Sequence, residues 1–192
     1  MSEGIHTENQ LARQIRTYGA TEADGARVKA ELIERFGRVP SPSDIAWEIA
    51  NEKIPELAQK EDFRALSDLY WQMALQIYYE GRDQFNLARE ARRYELLDLQ
   101  RECLRFGDWG SRCGLKVLGC SGNYCGECKP DKIYTVEEAL ESMPIPRREC
   151  GYHVKGHKVS PGQPGWCICL YLTLHQPEWD DRVASGSGST TA

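Results

Sequence analysis

The stretch Phe63-Arg-Ala-Leu-Ser-Asp-Leu-Tyr-Trp-Gln-Met-Ala-Leu-Gln-Ile-Tyr-Tyr79 decides how the first half of the chain folds. Phe63, Leu66, Tyr70, Met73 and Ile77 recur at alternating spacings of three and four. That is the apolar stripe of an amphipathic helix. Gly81-Arg82-Asp83 reads as a stop and a new cap. From Phe85 onward, Ala88, Ala91, Leu96, Leu99, Cys103 and Phe106 carry a second long helix to Gly107. Two long helices joined by so short a link pack antiparallel, which predicts a helical hairpin. Tyr70, Trp71, Tyr78 and Tyr79 could line a ligand groove. Large rings at helical spacing are what a hairpin buries, so packing is the favoured role.

Toward the N-terminus the helical signals continue. Thr7-Glu-Asn-Gln10 and Thr21-Glu-Ala-Asp24 resemble helix caps, in which a side-chain oxygen accepts from an orphan backbone N–H. The first helix is expected to end near Gly19 and the second at Gly37, where glycine accepts a left-handed turn. Ser41 suits the next cap and Pro42 the first turn, where no N–H is needed. Pro55 inside that pattern predicts a break or kink near Ile54. Residues 1–107 are thus expected to form a helical domain.

From Asp108 glycines and cysteines become frequent. Leu115-Lys-Val-Leu118 and Lys132-Ile-Tyr-Thr135 read as short strands. Thr135-Val-Glu-Glu138 is a capping box for a helix over Val136 to Met143, stopped by Pro144 and Pro146. A loop rich in glycine and proline runs from Gly151 to Gly165 and feeds Trp166-Cys-Ile-Cys-Leu-Tyr-Leu-Thr-Leu174, a β-rich run. The expected fold class is α+β: a mainly α-helical N-terminal region, then a small zinc-stabilised Cys-rich module over residues 108–178. The Ser-Gly-Ser-Gly tail within 179–192 is expected to be disordered.

Seven of the eight cysteines lie in this module, and five of them, Cys125-Gly-Glu-Cys128, Cys150 and Cys167-Ile-Cys169, have an arrangement that reads as a metal site. A Cys-x-x-Cys pair with Gly inside can fold into a knuckle that points two thiolates at one cation. Zinc then needs two further soft ligands. Cys125 and Cys128 are the first pair, and Cys150 can return to them after the Pro-Ile-Pro turn. Either Cys167 or Cys169 can be the fourth ligand, because residues two apart on a strand face the same side. The other would pack as a small apolar residue. His153 and His157 are expected at the surface rather than on the metal. Cys113, Cys120 and Cys103 could form a second site, although Cys103 lies on the apolar face of its helix. The ligand spacing favours zinc over an iron–sulfur cluster.

The knuckle, a nearby Lys and Tyr, the Glu137-Glu138-Ala139 helix, the Pro144-Ile145-Pro146 turn and the closing Cys167-Ile-Cys169 together resemble the C-terminal cysteine module of phage head-morphogenesis (minor head) proteins. Residues 125–169 carry the resemblance. It implies a metal-bound module accompanying a helical region. Cys150 stands where a His-Pro-type segment is common in that family, and the loop before Trp166 is long.

A net charge of −5 argues against a general polyanion binder held by long-range attraction. Arg147, Arg148, Lys155, His157 and Lys158 form a local basic run, read as a solvated loop with salt-bridge partners such as Glu149. No transmembrane run and no secretory signal are found, so a cytoplasmic protein is expected. There cysteines more often ligate metal or stay reduced than form disulfides. The favoured function is a non-enzymatic zinc-binding scaffold with a protein partner, nucleic acid being the second choice. The alternatives are a metal-dependent hydrolase or nuclease-like enzyme, and a thiol redox protein using Cys125 and Cys128. The chain has no Gly-rich phosphate loop and no His-Glu-x-x-His.

Overall fold

The computed structural model describes residues 12, 13, 15–105, 114–119 and 132–174. A helical segment through Thr17 closes at Gly19, as expected. Four longer helices follow: α1 (Glu22–Phe36), α2 (Pro42–Gln59), α3 (Phe63–Tyr79) and α4 (Phe85–Arg105). Thr21 and Ser41 form full capping boxes with Asp24 and Asp44, and Gly37 ends α1 at a φ of 65°. The backbone N–H of each cap residue holds its aspartate below the usual carboxylate range, with the Thr21 and Ser41 hydroxyls adding to the effect. A lowered folded pKa means that these caps contribute at neutral pH and weaken as pH falls toward and below the ordinary value.

Pro55 does not break its helix: α2 runs on to Gln59. The proline removes one ladder hydrogen bond, but Ile54 and Leu57 on either side pack against the core, and the helix continues. That core joins Ile15, Val28, Leu32, Ile45 and Ile49 to Leu69 and Met73 of the hairpin.

The α3–α4 hairpin forms as read, with Asp83 accepting from the Phe85 N–H at 2.9 Å where α4 begins. Its buried stripe lies slightly off the expected one. Leu66, Leu69, Met73, Ala74, Ile77 and Tyr78 are buried, while Phe63 and Tyr70 are only half-buried. These two rings instead flank Tyr94 of α4, at 6.3 and 5.5 Å between centroids. A helix advances 3.6 residues per turn, so a three-four spacing drifts around the axis and its bulky members can end at the edge of the interface.

The C-terminal part is a three-stranded antiparallel sheet with one helix. Its strands are β1 (Gly114–Leu118), β2 (Ile133–Tyr134) and β3 (Leu170–Leu174), ordered β2-β1-β3. Helix α5 (Val136–Ser142) opens on the Thr135–Glu138 capping box and ends at Met143, whose φ is 42°. The chain is thus α+β with helices predominating. β3 begins later than the sequence suggests. β1 runs out at Leu118, opposite Leu170, so Trp166 to Cys169 lie beyond the ladder.

The two parts share buried residues. Leu96 and Cys103 of α4 join Leu115, Val117, Tyr134, Ala139 and Ile145 in one cluster. Trp166 packs with Ala74, Tyr78 and Ala88 in another. The boundary expected at residue 107 and the tail 179–192 lie outside the described residues, as do Phe106 and the Thr7 cap.

Leu66→Ala is expected to cost about 2–5 kcal/mol in denaturant unfolding, because Leu66 is fully buried. Tyr70→Ala should cost about 1 kcal/mol. Equal losses at the two positions would contradict the stripe as described.

Candidate metal centre

Cys150, Cys167 and Cys169 come from two segments that pass each other closely. The Trp166 N–H donates to the Tyr152 carbonyl at 2.7 Å, so residues 150–152 run beside 165–167. Gly165 makes this possible. A Cβ at that position would overlap the Cys150 carbonyl and stand 2.8 Å from the Tyr152 oxygen. The opposite side of Gly165 is held from the hairpin turn, where buried Gln84 donates to the Gly165 carbonyl at 3.0 Å.

All three thiols point inward. Cys150, Cys167 and Cys169 are 3%, 6% and 1% exposed, while Ile168 between the last two faces out at 37%. The period-two alternation of an extended chain therefore persists without a ladder partner. Both cysteines of the pair share the inner side, so the choice between them stays open. Cys150 Sγ lies 3.9 Å from the Trp166 carbonyl oxygen. Cys103 of α4 enters the same buried cluster, where a packing role was expected of it. Cys125, Cys128, Cys113 and Cys120 lie outside the described residues. Among the described residues no three His, Cys, Asp or Glu side chains converge to hold a metal ion. Soft sulfur donors removed from water suit zinc.

The loop between the two cysteine segments is clasped to the end of α3. Tyr78 is fully buried there. Its hydroxyl accepts from the Val154 N–H at 3.0 Å and lies 3.2 Å from His153 Nδ1. Its carbonyl accepts from Gln163 Nε2 at 2.7 Å. Gln163 Oε1 in turn accepts from the Ser160 N–H at 3.0 Å and stands 3.3 Å from His157 Nε2. The His157 ring packs 4.6 Å from that of Tyr78. Burial pushes the Tyr78 phenol above its ordinary pKa. The two histidines, expected at the surface, are half-buried packing partners of Tyr78. One ring nitrogen of each faces a protein group, His153 Nδ1 the Tyr78 hydroxyl and His157 Nε2 the Gln163 amide.

In the basic run Arg148, Lys155 and Lys158 are exposed, as a solvated loop requires. The partner of Arg148 is Asp83 at 2.9 Å, and its guanidinium stacks over Phe85 at 4.5 Å. The Phe85 N–H, and then Arg148, hold the Asp83 carboxyl below its usual range.

Two contributors escape a reading of the sequence. Gly165 reads as a loop glycine, although its place directly before a strand-like Trp-Cys run is where a close backbone approach is expected. Arg92 falls at spacings of four between Ala88 and Leu96, a charge within an apolar stripe. It is buried, and its Nη2 donates to the Cys169 carbonyl at 2.8 Å.

No protein-family model, curated protein or solved structure matches this chain.

Gly165→Ala should cost about 1–3 kcal/mol or more, the range for overpacking, and should expose Cys150 to a thiol reagent in the folded chain. Unchanged stability and unchanged thiol protection would contradict the close crossing.

Proposed function

We propose that the chain is a non-enzymatic, zinc-binding interaction protein. In this reading the C-terminal part is locked by a structural four-cysteine centre of Cys125, Cys128, Cys150 and one of Cys167 or Cys169. The observation that carries the proposal is the burial of Cys150, Cys167 and Cys169 in one cluster, delivered by two chain segments. A small sheet with strands of five, two and five residues has little core of its own. A structural zinc would supply the missing cross-link, with apparent binding energy of about 10–16 kcal/mol. The resemblance to the cysteine module of phage head-morphogenesis proteins agrees with a metal-bound module beside helices, and we carry a phage-related assembly role as the context it suggests.

The interaction half of the reading rests on the sheet. Leu118 and Leu170 are register partners and therefore share a face, and Ile168 and Leu172 follow the same alternation. All four are 37–50% exposed. An apolar strip of this kind marks a protein surface rather than a nucleic-acid one. Among the described residues no helix is long and apolar enough to cross a membrane.

Elemental analysis should find one zinc per chain in the wild type and none in Cys150→Ser. Of Cys167→Ser and Cys169→Ser, one should lose the metal and the other keep it. Retention of zinc by Cys150→Ser would remove the proposed ligand set.

A further inference from the structure

The hairpin brings one buried cation against the backbone of the cysteine segment. Arg92 is the only buried charged side chain among the described residues. Its guanidinium has three neighbours: the Glu95 carboxylate at 2.6 Å, the Cys169 carbonyl at 2.8 Å and the Trp71 ring centroid at 4.6 Å. Trp71 in turn meets Trp166 edge-on at 4.8 Å. One side chain of α4 therefore fixes the Cys167–Cys169 segment at both ends, through Trp166 before it and the Cys169 carbonyl within it.

The guanidinium is not fully satisfied. Arg92 Nε is buried with no hydrogen-bond acceptor among the described residues. A cation taken out of water needs its charge met, and the Glu95 carboxylate meets that of Arg92. Donors just outside the ligands of a metal orient them. Arg92 reaches the segment that carries Cys167 and Cys169 through the Cys169 carbonyl.

We propose that Arg92 is a positioning residue of the thiolate centre. It fixes the Cys167–Cys169 backbone from the hairpin so that the thiols keep the direction zinc requires. This rests on the zinc reading given above. An arginine that served only to join hairpin and sheet would stabilise the metal-free and zinc-loaded forms alike, and zinc affinity would not depend on it.

The test is competition for Zn2+ between the full-length chain and a chromogenic chelator, with melting temperature measured with and without zinc. Arg92→Met should bind zinc about 10–100-fold more weakly than the wild type and gain less melting temperature from zinc. Arg92→Lys keeps the charge but cannot span Glu95, Trp71 and the Cys169 carbonyl together, so it should fall between the two. It decides the matter if Arg92→Met does not fold. Wild-type affinity in Arg92→Lys and in any folded Arg92→Met overturns the role of Arg92 and leaves the zinc reading standing. A wild-type chain that takes up no zinc overturns both.

Discussion

Two backbones cross where Gly165 lies against Cys150, at a distance no side chain would permit. The rest of the C-terminal part depends on that crossing. It brings Cys150 beside the Cys167–Cys169 segment and sends the Trp166 ring toward Trp71 and Tyr78 of α3. It also sets the start of β3 opposite Leu118. A three-stranded sheet this small needs a helix to pack against, and α4 provides it through Leu96 and Cys103.

The loop between the cysteine segments is long, and it is tied to the hairpin at several points by groups buried or half-buried there. Gln84 holds the Gly165 carbonyl, Gln163 holds the Tyr78 carbonyl, and the Tyr78 hydroxyl holds Val154. Buried polar groups of this kind are costly unless paired, so each also specifies where the loop sits. Arg148 adds an outer tie to Asp83 at the hairpin turn. The thiols are therefore presented by a loop whose position is set by the helices, and a metal there would join segments already directed at one another.

How far all this could be read from sequence follows the range of the interactions. The capping boxes at Thr21, Ser41 and Thr135 are local, and so is the positive φ at Gly37; both are legible in a few residues. The hairpin was legible because its stripe repeats over many turns. Pro55 misled because its local penalty is outweighed by the packing of Ile54 and Leu57 against residues distant in sequence. Phe63 and Tyr70 were misplaced because spacing alone does not reveal which side Tyr94 will occupy. The late start of β3 depends on the length of β1, its partner. His153, His157 and Gln163 acquired roles only through Tyr78, a residue 75 to 85 positions away. Cysteine spacing proposed a site; of its residues, Cys150, Cys167 and Cys169 are buried in one cluster, and Cys125 and Cys128 lie outside the described residues.

The central claim is that a zinc–thiolate cross-link secures the C-terminal part on a hairpin that stands without it. Hydrogen exchange followed by mass spectrometry, on zinc-supplemented protein before and after chelation, tests this most directly. The account predicts that chelation removes protection from the peptides spanning residues 150–174 and leaves α1 and α2 as slow as before. Equal protection of residues 150–174 in both states would contradict it.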